Sequence, residues 1–123
     1  MTPTVDGPTI DDVDAVFKAF ADPTRIRILN VLAAGELCVC DVVDLLRLPQ
    51  PTVSRHLAYL RRMGLVDVTR ETRFAHYRLA EAEHAVHEAL LTCMRVRFPG
   101  VASLQRERRQ AEVRTKARAS EPC

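Results

Sequence analysis

Between Gln50 and Gly64 the chain admits few folds. Val53, Leu57 and Leu60 recur at i, i+4 and i+7, which places one apolar stripe on a single helical face. Thr52, Ser54, Arg55, His56, Arg61 and Arg62 carry hydroxyl, imidazole and guanidinium groups on the other faces. Pro51 suits a first helical turn, where its missing N–H has no partner to lose, and Gly64 suits a left-handed stop. A short cationic helix with one greasy side can dock on a core and lie in a DNA groove. An ordinary solvated amphipathic helix shows the same pattern, so the flanking segments decide.

Upstream, residues 36–46 predict a short helix that begins near Cys38 to Cys40 and turns Val42, Leu45 and Leu46 to the core. Arg47, Leu48 and Pro49 leave room only for a turn, so the unit is a helix-turn-helix with Gln50–Gly64 as the groove-reading helix. Downstream, residues 65–70 and 75–79 alternate in character around a polar tip, which predicts a β-hairpin from which Arg70 and Arg73 project. Helix-turn-helix followed by a basic hairpin is the winged-helix arrangement. The fold class is therefore mainly α with a small β-hairpin.

The remaining segments complete one domain. Residues 1–10 read as a flexible arm. A helix over 11–21 follows from Val13, Val16, Phe17 and Phe20, and Asp22-Pro23 opens a second that runs to Ala34-Gly35. Residues 81–98 predict a further helix with Val86, Leu90, Cys93 and Met94 as its apolar stripe. The DNA-binding and sensing domain is thus 11–98, and the charged stretch 99–123, poor in apolar residues, reads as a weak helix or a disordered tail.

Charge distribution favours a nucleic-acid partner. The whole chain carries only +2, but residues 47–79 hold seven arginines against Asp67 and Glu71, whereas residues 1–46 carry −5. Gln50, Ser54 and Arg55 are the candidates for base edges, since Gln and Arg form bidentate bonds in the major groove. Thr52, His56, Arg61, Arg62, Arg70 and Arg73 are the candidates for phosphates. No apolar run reaches membrane length and the start lacks a secretory layout, so the expectation is a cytoplasmic protein with no membrane partner. No nucleotide loop, nucleophile elbow or catalytic dyad is present, which argues against an enzyme, a catalytic cofactor or a small-molecule substrate.

The four cysteines are Cys38, Cys40, Cys93 and Cys123. In a reducing compartment a close pair points to metal or redox chemistry rather than a disulfide framework, and thiolates select soft ions. On a regular helix, i and i+2 point about 200° apart. Cys38 and Cys40 can therefore grip one ion only if the backbone there is non-helical or distorts on binding, and such distortion would strain the start of the supporting helix. Cys93 and Cys123 are the alternatives for a third donor; Cys93 reads equally as a hydrophobe on its stripe, and an exogenous thiol could fill the same place. Glu81, Glu83, His84, His87 and Glu88 read as a solvated helix face.

Four ordered blocks carry a resemblance: Asp22 to Leu29, Glu36 to Asp41, Gln50 to Leu57, and Gly64-Leu65-Val66. Together they resemble the ArsR family of winged-helix metalloregulators, over roughly residues 11–95. The resemblance implies a homodimer joined through its terminal helices, bound to double-stranded palindromic operator DNA and released by a toxic metal or metalloid. The Leu37 to Asp41 segment resembles the arsenite- and cadmium-sensing branches, which implies As(III) as inducer, with Sb(III), Cd(II) or Pb(II) as alternatives on the same thiols. Two positions depart from the family pattern. Pro49 replaces a serine cap, and Val43 stands where arsenite sensors of the best-known type carry a third cysteine. A thiol-redox or persulfide switch is a rival within the regulator class. An arsenite-buffering protein or a thiol oxidoreductase is the rival outside it, and the oxidoreductase lacks its Cys-x-x-Cys setting.

Overall fold

The computed structural model describes residues 7–71 and 74–120, so the contacts expected of Arg73 and Cys123 lie outside the described residues. Six helices and a three-stranded antiparallel sheet form a winged helix, in the order α1 (Ile10–Phe20), α2 (Pro23–Leu32), β1 (Leu37–Cys38), α3 (Val39–Leu46), α4 (Gln50–Arg62), β2 (Val66–Glu71), β3 (Phe74–Leu79), α5 (Ala85–Arg97) and α6 (Ala102–Ser120).

Local chemistry sets the helix starts. Thr9 caps α1, and Asp12 at N3 returns the bond to the Thr9 N–H at 2.8 Å. Ile10 thus belongs to the helix and not to the arm. Asp22 caps α2 by accepting from the Arg25 N–H at 3.0 Å, with Pro23 in the first turn. Arg25 then ties three helices together: it donates to the Ala19 and Lys18 carbonyls ending α1 and lies 4.3 Å from the centre of the Tyr59 ring on α4.

The stripe expected of α4 is the one observed, since Val53, Leu57 and Leu60 are fully buried. Burying each such side chain contributes about 1.5–3 kcal/mol, and they meet Ile28, Leu29, Leu46 and Leu65 in one core. Arg47 ends α3 in the left-handed region (φ 56°), which turns the chain sharply from α3 into α4. At Gly64 (φ 80°) a side chain would meet the Glu83 carboxylate at 3.0 Å.

Three expectations need correction. The sheet has a third strand, because Leu37 and Cys38 pair with Tyr77 and His76 of β3. The buried stripe of α5 is His87, Leu91 and Met94: Met94 is as expected, but His87 and Leu91 take the places of Val86 and Leu90, and Cys93 is exposed. Of the two alternatives for stretch 99–123 the described part is the helix, but a docked rather than a weak one, because α6 lies back on α2 and α3. Glu107 receives Arg27 at 2.6 Å, Asn30 donates to the Leu104 carbonyl at 2.8 Å, and Ala111 is fully buried. Arg108 donates to Asn30 Oδ1 at 3.1 Å and to the Met94 and Arg95 carbonyls, so it also caps the end of α5. Polar groups anchor this helix, so apolar periodicity does not announce it.

Candidate functional site

Cys38 is both the last residue of β1 and the N-cap of α3, with extended backbone (φ −84°, ψ 167°). The helical geometry that separates i from i+2 therefore does not apply to it. Its sulfur is in direct contact with that of Cys40 as a disulfide pair, with the two Cα atoms 5.4 Å apart. Of the two conditions under which the pair can act together, the structure meets the first. Cys38 is non-helical, and α3 need not unwind to bring the sulfurs together. Cys38 is buried and Cys40 exposed, so the pair is reached from the Cys40 side.

Asp41, which sequence reasoning passed over, completes the cluster. It is 1% exposed, accepts from the Cys38 N–H at 3.1 Å, and its Oδ2 lies 3.2 Å from the Cys38 sulfur, within reach of an S–H donor once the pair is reduced. Arg114 of α6 reaches the other oxygen at 3.1 Å and Asp44 at 3.5 Å. One potential ligand atom from each of Cys38, Cys40 and Asp41 falls within 4.8 Å of the others, the only such group of three among the described residues. An acidic residue three positions after a helix-starting cysteine fits a capping box, and that was the available signal. The two soft sulfurs suit a thiophilic ion, whereas the hard Asp41 oxygens are engaged by the Cys38 N–H and Arg114.

The pair opens into a cleft of about 380 Å³ walled by Val39, Val43 and Asp44 of α3, Gln50 of α4, and Arg70, Phe74 and Ala75 of the hairpin. Gln50 and Arg70, expected at DNA, thus also stand beside the cysteines. Cys93 is exposed on α5 and is not part of the cluster.

On α4, Gln50, Arg55, Arg61 and Arg62 are exposed, whereas Thr52, Ser54 and His56 are half-buried. The first turn holds no acidic residue, and Pro49 offers it no side-chain acceptor, as its replacement of serine implied. Arg70 is exposed on β2. This arrangement presents cations on one helix and the adjoining hairpin, which suits a phosphate-bearing partner.

At the start of α5, Glu81, Glu83 and Glu88 are exposed as expected of a solvated face, and His87 is the correction. His84 caps the helix by accepting from the His87 N–H at 3.2 Å, and His87 is 1% exposed. His87 Nδ1 accepts from the Glu83 N–H at 3.1 Å, while its Nε2 has no partner among the described residues. Burial, and then the nearby His84, hold the His87 pKa below its ordinary value, so the ring is neutral at pH 7.

A family described as "Bacterial regulatory protein, arsR family" matches residues 22–68. The HTH-type transcriptional regulator MJ1325 of Methanocaldococcus jannaschii is 45% identical over 54% of this chain and 75% of its own length. The arsenical resistance operon repressor of Escherichia coli is 47% identical over 53% of this chain, which spans 56% of that repressor. Among solved structures, the homodimeric winged helix-turn-helix domain of Mb0332 from Mycobacterium bovis superposes with a TM-score of 0.62 at 33% identity, covering 71% of this chain and 78% of that one. Among the described residues no helix is long and apolar enough to cross a membrane.

Proposed function

The chain belongs to the ArsR family of bacterial regulatory proteins, and from that premise we propose a homodimeric cytoplasmic repressor whose Cys38 and Cys40 thiols capture As(III) and thereby release operator DNA. The observation that carries this reading is the double role of Cys38. It is hydrogen-bonded into the hairpin through its pairing with His76, and it starts the helix that supports α4. An ion seated between the Cys38 and Cys40 sulfurs parts them from direct contact, and a shift of Cys38 is passed to the hairpin and to α3 together. A coupling of about 1–3 kcal/mol is enough to shift operator occupancy.

In this reading Gln50, Ser54 and Arg55 contact bases in a palindromic operator, while Thr52, His56, Arg61, Arg62, Arg70 and Arg73 contact phosphates. The dimer forms through α1 and α5, where Phe17 and Val96 are 52% and 59% exposed. The homodimeric state of the Mycobacterium bovis neighbour and the name of the Escherichia coli relative support the reading. Sb(III), Cd(II) and Pb(II) are the competing ligands for the same sulfurs.

The test is operator binding by fluorescence anisotropy. Arsenite releases the parent protein, and Cys38→Ser or Cys40→Ser abolishes release while DNA affinity changes little. Release by peroxide but not by arsenite favours a second reading, a dithiol–disulfide switch, to which the direct sulfur contact also points.

A further inference from the structure

We infer that the cleft beside Cys38 and Cys40 takes a trivalent arsenical carrying one organic arm, R–As(OH)2, in preference to arsenite; this rests on the reading of the two cysteines as the capturing pair. Arsenite has three exchangeable hydroxyls. Among the described residues only two thiols stand together: Val43 is one turn along α3 from Cys40, and Cys93 lies on α5 away from the cluster. The nearest other donor is the Asp41 carboxylate, a hard oxygen already engaged by the Cys38 N–H and by Arg114. An arsenical with one carbon substituent has two exchangeable bonds, which the pair satisfies completely.

The third substituent then needs a place, and the cleft supplies it. Val39, Val43, Phe74 and Ala75 give it apolar walls, and its 380 Å³ is of the size that holds small organic ligands. Phe74 is 45% exposed, an aromatic surface that an aryl arm can cover. The arm also lies against Gln50 of α4 and Arg70 of β2, so its bulk acts directly on the DNA-contacting elements.

The chemistry starts from the dithiol, obtained when a phosphine reductant takes the Cys38–Cys40 bond to two thiols and becomes phosphine oxide with oxygen from water. Each thiol then displaces one hydroxyl: two S–H and two As–OH bonds break, two As–S bonds form, and two waters leave. Arsenic remains trivalent throughout.

The experiment titrates the reduced protein, freed of phosphine and bound to an operator selected with it in vitro, with phenylarsonous acid and with arsenite. Half-release is expected at about tenfold lower phenylarsonous acid, as one ring covered by apolar walls allows. Intact mass should show one adduct equal to the arsenical less two waters, absent in Cys38→Ser. Phe74→Ala should shrink the ratio of the two midpoints, and Val43→Cys, which adds a third thiol, should close it by strengthening the response to arsenite. Arsenite equal to or better than phenylarsonous acid overturns the inference and leaves capture by the pair standing. An advantage undiminished in Phe74→Ala overturns the part assigned to the cleft. Should Cys123→Ser weaken a dominant arsenite response, the third ligand is that thiol and the inference is again overturned. Failure of both arsenicals to release DNA overturns the underlying reading instead.

Discussion

Asp41→Ala tests whether the cysteine cluster is also a structural joint. In the folded chain this carboxylate accepts from the buried Cys38 N–H at 3.1 Å and from Arg114 at 3.1 Å, so one side chain holds together β1, α3 and α6. Alanine leaves the Cys38 N–H without its acceptor, at a cost of about 1–3 kcal/mol. The Arg114 side chain is 36% exposed and regains water, so losing its ion pair adds only about 0–1 kcal/mol. The expected loss is therefore about 1–4 kcal/mol, a drop in Tm of roughly 4–16 °C for a domain of this size. Asp41→Asn keeps an acceptor for Cys38 and should lose about half as much. Urea unfolding followed by circular dichroism measures this, at one fixed protein concentration because association contributes to stability. An Asp41→Ala protein within about 0.5 kcal/mol of the parent would refute the joint.

Three further outcomes follow from named contacts. His87 is held neutral, so as pH falls below about 6.5 the unfolded chain takes up its proton first and stability declines toward the lower folded pKa; above about pH 7 its contribution is constant. Unfolding across that window should lose part of its slope in His87→Leu, and equal slopes contradict the assignment. Arg108→Met removes the donors to Asn30, Met94 and Arg95 and should cost about 2–3 kcal/mol in denaturant melts, whereas a loose α6 predicts almost none. Arg55→Ala should relax base preference by about 1–3 kcal/mol, while Arg70→Ala should weaken binding to all sequences alike and lower the salt slope by about 1, both read from operator titrations.

The sequence makes some elements far more legible than others. Val53, Leu57 and Leu60 show α4 because its burial is purely apolar and repeats over three turns. β1 is two residues long and gives no alternation to read, yet its pairing with β3 is what holds Cys38 extended and beside Cys40. Without that strand in view, the sequence leaves open whether the pair meets through non-helical backbone or through distortion of the helix. Asp41 carries no signal of burial in the sequence, because its partner Arg114 is distant along the chain. His87 counts as polar in any hydrophobic pattern, so Val86 and Leu90 are read into the α5 stripe and Cys93 is placed inward. On α6 the anchors Glu107 and Arg108 look like surface charges, and only their partners Arg27, Asn30 and Met94 show that they bind the helix to the domain.

Everything assigned to the regulator turns on the reduced Cys38–Cys40 pair losing its free thiols at the moment the DNA is lost. Counting reactive sulfhydryls while arsenite is titrated into the operator complex addresses that link in a single sample. The account predicts that two of the four thiols in each chain disappear along the same curve as the anisotropy signal. Two thiols consumed with the duplex still fully bound, or a duplex released with all four still reactive, would contradict it.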